Sequence, residues 1–282
     1  MTFARAIFIV IIGCLARNTY GQKTKEFFLP SSLKEISGLA FLNKKTLVAI
    51  NDGGNSNELF VLKKNGELIK RVEVVNAKNK DWEDLATDGT YLYIADIGNN
   101  ANKRENLKIY KVNINEVLTK FEVKAELIEF NYSEQTQFPP DDENLEFDAE
   151  ALACYKDTLW LFTKTNTKPW KGNARIYKVP TIPGRFTLST DRLVHIGDDG
   201  WFQDAITAVD VYDDHFFIST YDRIVEYKFT SSQSIKLSTT FYEGATQKES
   251  IVVKDLNNVI VADERQDVLG GGKLYHIKLT RD

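Results

Sequence analysis

Histidine and cysteine are scarce in this sequence of 282 residues, which contains three histidines and two cysteines. His195, His215 and His276 lie in separate strand-like segments without paired spacing, so the sequence lacks the usual parts of a zinc site or a Ser-His-Asp triad. Cys14 falls in a segment that is expected to be removed or lipidated, which leaves Cys154 without a partner for an intrachain disulfide. Because Cys154 lies in a strand pattern, we expect a buried, unreactive thiol.

Neither sign of charge dominates the composition. There are 36 Lys and Arg residues against 40 Asp and Glu residues, a net charge of −4, and the basic residues are scattered singly along strand-like segments. Without a basic stripe to neutralise phosphates, binding to nucleic acid is not expected.

A long apolar run is also missing. Residues 6–16 are apolar but too few to span a bilayer as a helix, so no transmembrane helix is expected.

The first residues indicate export. Arg5 precedes the apolar run, which is the arrangement of a secretory signal peptide. Cleavage would divide the chain into a signal peptide of residues 1–21 and a mature domain of residues 22–282, located in the periplasm or outside the cell. The alternative is a lipoprotein, because residues 11–14 (Ile-Ile-Gly-Cys) resemble a bacterial lipobox and would anchor the chain to a membrane through a lipidated Cys14.

A three-strand unit recurs five times in the remainder of the sequence. Aromatic residues make up 12% of the chain, which favours pleated, half-buried strands. Each unit consists of a short strand of small residues, a turn, a β-rich strand, a polar loop and a third strand, and the third-strand sequence Ile-Tyr-Lys-Val occurs at both 109–112 and 176–179. A repeat of this kind predicts a single all-β domain, a five-bladed β-propeller.

The last unit indicates how the ring closes. It has no outer strand of its own, whereas outer strands are expected after the other four units, for example over residues 187–196. The segment Thr24 to Leu29 is spare, so we expect it to pair beside the last unit and remove the open edge. A six-bladed propeller is the alternative, because the stretches after Asn113 and after Pro180 are long enough to contain a further blade.

Propeller geometry predicts where a site would lie. The loop that enters the first strand of each unit and the loop that leaves the second strand lie at the same end of the ring, around the central channel. The entering residues are Ser37, Glu83, Glu150, Thr207 and Glu249, of which three are carboxylates. Like charges this close are costly, and a hard cation such as calcium would relieve them, so Glu83, Glu150 and Glu249 are candidate metal ligands.

An outer set of polar residues leaves the second strands or lies in the loops after them. These candidate ligand-binding residues are Asp52, Asp96, Asn99, Arg104, Lys164, Tyr221 and Asp263. Two alternatives to a bound cation stay open at this point. Lys164 and Arg104 can neutralise the carboxylates instead, or each carboxylate can accept hydrogen bonds from turn amides in water.

Several of these segments resemble a family of exported bacterial propeller proteins that has no established activity. The segments are residues 51–55 (Asn-Asp-Gly-Gly-Asn), 81–84 (Asp-Trp-Glu-Asp), 96–100 (Asp-Ile-Gly-Asn-Asn), 148–152 (Asp-Ala-Glu-Ala-Leu) and 220–223 (Thr-Tyr-Asp-Arg). The resemblance implies the propeller fold. A wider, architectural similarity to regulated periplasmic, lactonase-like and phytase-like propellers, which have six blades and bind calcium, implies a calcium cofactor.

Two classes of function follow from the polar residues predicted at this end of the channel, here called the mouth. The first is binding without turnover, by an exported, monomeric propeller whose acidic, calcium-binding mouth holds a small molecule, glycan or peptide. The alternative is a metal-assisted hydrolase of a lactone, phosphoester or glycan, in which calcium polarises the substrate and Glu83 or Glu150 acts as the base. The sequence contains no complete catalytic motif, so it does not decide between the two classes.

Overall fold

The computed structural model describes residues 17–244, 246–268 and 270–280, and their regular secondary structure is almost entirely β-strand. In chain order, the elements are β1 (Arg17–Tyr20), β2 (Gln22–Phe28), a short 3-10 helix (Ser31–Leu33), β3 (Ile36–Asn43), β4 (Thr46–Asn51), β5 (Glu58–Lys63), β6 (Leu68–Val74), β7 (Trp82–Thr87), β8 (Tyr91–Asp96), β9 (Leu107–Asn113), α1 (Ile114–Thr119), β10 (Glu122–Val123), β11 (Glu126–Tyr132), a second 3-10 helix (Asp142–Asn144), β12 (Asp148–Tyr155), β13 (Thr158–Lys164), β14 (Asn173–Pro180), β15 (Gly184–Leu188), β16 (Thr190–His195), α2 (Trp201–Asp204), β17 (Ile206–Tyr212), β18 (His215–Thr220), β19 (Arg223–Phe229), β20 (Ser234–Phe241), β21 (Lys248–Asp255), β22 (Asn258–Asp263) and β23 (Lys273–Lys278).

The strands form five sheets arranged as blades around a ring, so the predicted five-bladed β-propeller is confirmed. Blade 1 contains β3 to β6 and β10, blade 2 contains β7, β8, β9, β11 and β15, blade 3 contains β12, β13, β14 and β16, blade 4 contains β17 to β20 and β1, and blade 5 contains β21, β22, β23 and β2. The innermost strands are β3, β7, β12, β17 and β21. Each contacts the innermost strands of both neighbouring blades, and the contact between β21 and β3 completes the ring.

The segment ahead of the first unit closes the last blade, as expected. Strand β2 runs antiparallel to β23, with Gln22 opposite Lys278 and Phe28 opposite Lys273. Blade 5 thereby gains its fourth strand from the opposite end of the sequence. This pairing covers the edge of β23, which would otherwise present unpaired backbone groups to other chains.

The two long stretches that were candidates for a sixth blade do not form one in the part of the chain that the structure describes. The stretch after Asn113 forms α1 and then β10, which pairs parallel to β6 at the edge of blade 1. The stretch after Pro180 forms β15, which pairs parallel to β11 of blade 2. The expected outer strand over residues 187–196 is therefore divided, because Leu188 ends β15 in blade 2 and Thr190 begins the outer strand of blade 3.

Apolar side chains fill the spaces between adjacent blades. Trp82 is fully buried between blades 1 and 2, where its ring centroid lies 6.0 Å from that of Tyr110. Phe216 packs between blades 3 and 4, with its ring centroid 4.9 Å from that of Trp160. Burial of large side chains such as these contributes roughly 1.5–3 kcal/mol each. The interblade spaces thus hold much of the core.

Two carboxyl groups, of which Asp84 is buried and Asp210 half-buried, join the innermost strands of neighbouring blades. Asp84 of β7 accepts a hydrogen bond from the amide of Leu152 in blade 3, at 2.9 Å. Asp210 of β17 accepts one from the amide of Val253 in blade 5, at 2.6 Å. Each bond crosses from one blade to the next and fixes how the two innermost strands are aligned. The residues that begin these strands therefore meet at one end of the channel.

The predicted export segment lies mostly outside the described residues. Cys14 and the apolar run are among residues 1–16, which the structure does not describe. Arg17–Tyr20, the last part of the predicted signal peptide before Gly21, forms β1 and pairs parallel to β20 at the edge of blade 4. Among the described residues, no helix has the length and apolar character needed to cross a bilayer.

Candidate functional site

Every innermost strand carries a β-bulge at the position where it enters the ring. In blade 2, Trp82 pairs with Asp96 and Asp84 pairs with Ala95, so Glu83 is the extra residue. The same interruption occurs at the corresponding position of the other four blades. A bulge leaves its extra residue out of the ladder and redirects the side chain. The five bulged residues, here called the entry residues, are Ser37, Glu83, Glu150, Thr207 and Glu249, which are the positions selected from the sequence.

Four of the five entry residues line a cavity of about 210 Å³ at the mouth of the channel. The mouth brings together all three predicted metal ligands and three of the predicted ligand-binding residues. Its lining residues are Ser37, Asp52, Glu83, Asn100, Glu150, Lys164, Trp201, Tyr221, Gln247, Glu249 and Glu264. Five of these are carboxylates and one is a lysine, so the mouth is acidic.

Three carboxylates form a tight group on one side of the mouth. Asp52, Asp81 and Glu83 each place one carboxylate oxygen within 4.8 Å of the others. Burial raises the pKa of Asp52 to about 6 and that of Asp81 to about 6, and in Asp81 the charge of Asp52 adds to the effect. Oxygen-only groups of this kind are the ligands that calcium prefers. The three residues, here called the carboxylate cluster, are therefore the candidate metal ligands that the structure itself groups together.

Glu83 is the most deeply buried member of the carboxylate cluster. Only 6% of its surface is exposed, and no hydrogen bond to its carboxyl group is found among the described residues. Burial raises the pKa of Glu83 well above its usual range, and repulsion from Glu150 and Asp52 raises it further. A buried carboxylate without a partner is costly. A proton, a bound cation or water in the cavity offsets that cost.

In blade 3, next to the blade that carries Glu83, Lys164 neutralises Glu150. The Lys164 ammonium lies 3.3 Å from the Glu150 carboxylate and donates a hydrogen bond to the Tyr221 hydroxyl at 3.0 Å. Burial disfavours the charged form of Lys164, but the surrounding carboxylates, Glu150 foremost, outweigh it and raise the pKa of the ammonium. Glu150 therefore has a cation of its own. No ion pair to Glu249 is found among the residues that the structure describes, and burial raises the pKa of its carboxyl well above the usual range.

Three other predicted ligand-binding residues lie behind the carboxylate cluster and not among the residues that line the cavity. Arg104 forms a 2.7 Å ion pair with Asp96 and donates to the carbonyl oxygen of Gly98 at 2.6 Å. Its guanidinium reaches Asp81 only at 4.0 Å. The Asn99 side chain accepts a hydrogen bond from the amide of Arg104 at 2.8 Å. These contacts hold the loop that carries Gly98 against the cluster, and they commit the charge of Arg104 mainly to Asp96.

Asp263, the seventh predicted ligand-binding residue, is also turned away from the mouth. Its carboxylate accepts hydrogen bonds from the Tyr275 hydroxyl at 2.8 Å and from the amide of Lys273 at 2.9 Å. Lys248 lies 3.4 Å from the same carboxylate. These partners occupy the acceptor positions of Asp263 within blade 5, so the residue supports the fold of that blade.

An aromatic wall that sequence reasoning missed stands beside the acidic mouth. Trp201 and Phe202, in the one-turn helix α2, are 40% and 43% exposed and pack on Tyr221 at centroid distances of 5.6 and 5.3 Å. Asp81 was also missed as a site residue, although it belongs to the Asp-Trp-Glu-Asp segment. No periodic signal marks Trp201, because α2 lies in a connection between blades and not at a repeated position.

Comparison with solved structures supports the fold. The chain is similar to the glutaminyl cyclase of Myxococcus xanthus, with a TM-score of 0.60 and 10% identity over 93% of this chain and 97% of that one. It is also similar to the PQQ-bound aldose sugar dehydrogenase of Streptomyces coelicolor, with a TM-score of 0.51 and 8% identity over 92% of this chain and 97% of that one. At such identities the likeness shows a shared β-propeller fold alone. The sequence matches no family model and no curated protein.

Proposed function

We propose that the protein is a binding propeller whose mouth holds a divalent cation at Asp52, Asp81 and Glu83 and a small organic ligand beside it. The proposal rests on the position and surroundings of the Glu83 side chain. A bulge directs this side chain to the mouth, where it is buried, has no hydrogen-bond donor among the described residues and meets two further carboxylates within 4.8 Å. Calcium fits the all-oxygen donor set, with water and the organic ligand as sources of further oxygens.

The opposite wall of the mouth supports the choice of organic ligand. The exposed face of Trp201 stands next to Tyr221, and Gln247, Glu249 and Glu264 line the same cavity. An aromatic face beside several hydrogen-bond acceptors suits a molecule with one apolar face and many hydroxyl groups. A glycan or a smaller polyol is therefore the preferred ligand, and a peptide is the next candidate.

The raised pKa of Glu83 favours a second function, metal-assisted hydrolysis of a lactone, phosphoester or glycan. A carboxyl group whose pKa lies near the working pH can take up and release a proton during a reaction. Burial and the neighbouring carboxylates raise the pKa of Glu83 well above its usual range, so this carboxyl group holds a proton more readily than an exposed one does. Glu150 is less suited to act as the base, because it is already paired with Lys164 at 3.3 Å. This function requires turnover, whereas the binding function does not.

Thermal melting of the purified domain in calcium and in chelator tests the cation. At about a hundredfold excess over the dissociation constant, calcium adds roughly 2.7 kcal/mol to the free energy of unfolding, which is about 5 °C or more for a domain of this size. Glu83→Gln should abolish the shift. Glu264→Gln is the matched control, because it removes a carboxylate from the same cavity but outside the carboxylate cluster. This variant should retain most of the calcium-dependent shift in melting temperature. A wild-type protein without a calcium shift contradicts the proposal.

Ligand and turnover are then tested on the calcium-loaded protein. Binding is measured against a panel of glycans and polyols, and turnover against lactones and phosphoesters. Aldoses belong in the panel, because one protein of the same fold is an aldose sugar dehydrogenase. The binding function is supported if the wild type binds a ligand without turning it over and Trp201→Ala loses that binding. Turnover that is lost in Glu83→Gln supports the hydrolase instead.

A further inference from the structure

A second cavity lies at the end of the ring opposite the mouth. It has a volume of about 430 Å³ and lies between blades 1 and 5. Its floor is formed by the half-buried ring of Phe41 and the buried side chain of Val253. Lys44 lies in the turn between β3 and β4, which is the far end of the hairpin whose other end carries Ser37. This cavity, here called the lysine groove, is therefore separate from the acidic mouth.

Three lysines surround the floor of the lysine groove. Lys44 and Lys254 are exposed, whereas Lys64 is half-buried and holds its ammonium 5.5 Å above the ring of Phe41. Within the described residues, none of the three forms an ion pair. The neighbouring carboxylate of Asp255 accepts hydrogen bonds from the Asn257 amide and the Asn258 side chain.

The pKa of His276 is affected by the same local excess of positive charge. Its ring Nε2 lies 2.8 Å from the carbonyl oxygen of Lys64, to which it donates a hydrogen bond as the Nε2–H tautomer. Burial lowers the pKa of His276, and repulsion from Lys25, Lys64 and Lys254 lowers it further. The protein as a whole carries a net charge of −4, so this concentration of lysines is a local feature.

We propose that the lysine groove binds a small anionic amphiphile, namely a carboxylate attached to an apolar chain. The apolar floor of Phe41 and Val253 would bury the chain, and the unpaired ammonium groups of Lys64, Lys44 and Lys254 would meet the carboxylate. Charge complementarity selects an anion over a neutral or cationic amphiphile. The volume of about 430 Å³ falls within the range of roughly 300–1,000 Å³ that is usual for small-molecule sites.

The test uses a fluorescent fatty acid, dansyl-undecanoic acid, titrated with the domain of residues 22–282. We expect saturable binding that is weakened about tenfold or more by the double variant Lys64→Glu/Lys254→Glu, because reversing both charges removes the charged partners of the carboxylate. Lys124→Glu is the matched control, since Lys124 is an exposed lysine between β10 and β11, outside the groove, and this variant should bind as the wild type does. Thermal melts establish that all variants are folded.

Competition and a mouth variant complete the test. Decanoate should displace the probe and decyltrimethylammonium should not, because only the former carries a negative charge. Glu83→Gln should leave probe binding unchanged, which separates this site from the mouth. The proposal is overturned if the wild type shows no saturable binding, if the double variant binds as tightly as the control, or if the cationic amphiphile competes equally well.

Discussion

The carboxyl group of Glu83 lies directly against the backbone of Gly98. A methyl group on Gly98 would overlap Oε1 of Glu83 and come within 2.6 Å of the Asp81 carboxyl carbon. The Gly98 amide also donates a hydrogen bond to the Asp81 carbonyl oxygen at 3.2 Å. The Asp-Trp-Glu-Asp and Asp-Ile-Gly-Asn-Asn segments thus meet at this point, and a glycine is required there because only hydrogen leaves room for the carboxylate cluster.

Gly98→Ala should therefore disrupt calcium binding. The added methyl group displaces Glu83 and Asp81, so we expect the calcium-dependent rise in melting temperature to fall by at least half. Gly89→Ala provides the control, because Gly89 has a positive φ of 87° but no atom within 4 Å of an added Cβ. That variant should lose about 1 kcal/mol of stability through backbone strain and keep its calcium response. An undiminished calcium response in Gly98→Ala would contradict the placement of the cation.

Lys164→Met should destabilise the fold strongly. The substitution leaves Glu150 buried without its partner, for which we expect a loss of about 3 kcal/mol in urea unfolding. Adding Glu150→Gln should restore much of that loss, because the uncompensated charge is removed, and a double-mutant cycle measures the coupling. Lys168→Met, which breaks an exposed pair with Asp142 at 3.6 Å, should cost less than about 1 kcal/mol. Equal losses at the two lysines would show that the Lys164 pair is not buried in solution.

Asp210 should make stability depend on pH. Burial raises the pKa of Asp210 to about 7, against about 3.9 in an unfolded chain. The folded state therefore holds this proton more tightly, and the associated stability is present at acid pH and is lost as the pH rises through about 7. Asp210→Asn removes the titration. The stability of the variant relative to wild type should therefore rise between about pH 5 and about pH 8 in urea unfolding, and a constant difference would contradict the assignment.

Strand β2 should be necessary for a monomeric propeller. A chain that begins at Leu29 lacks β2 and leaves β23 with an open edge. We expect this chain to melt at a lower temperature and to form oligomers, measured by light scattering. A chain that begins at Gln22 lacks β1 but keeps β2, so it serves as the control and should remain monomeric. A stable monomer that begins at Leu29 would show that the closing strand is dispensable.

The fold was predictable from the sequence because its unit repeats. Each of the five units has the sequence pattern of the same three strands. Because the last unit lacks an outer strand, the spare segment ahead of the first unit was predicted to complete it, and this segment becomes β2. The position of Glu83 at the channel mouth followed from the same repetition. The division of residues 187–196 between two blades did not, because β15 joins blade 2 through a parallel pairing that no local pattern specifies.

The composition of the site was harder to predict, because it depends on which neighbours each polar side chain finds. Glu150 and Lys164 were both predicted as site residues, but their ion pair at 3.3 Å depends on the antiparallel pairing of β12 with β13. Arg104, in the loop after β8, forms a 2.7 Å ion pair with Asp96 at the end of that strand, and neither residue lines the cavity. Trp201 enters the mouth from a connection outside the repeat, so periodicity gave no indication of it.

The most direct test of the central claim is a crystal structure of the protein grown with calcium, with the anomalous signal measured. The account predicts a single strong peak between Asp52, Asp81 and Glu83, at about 2.3–2.6 Å from one oxygen of each carboxylate, which disappears in crystals of Glu83→Gln. A mouth without an anomalous peak, or with a peak that persists in Glu83→Gln, would contradict the claim that these three residues hold the cation.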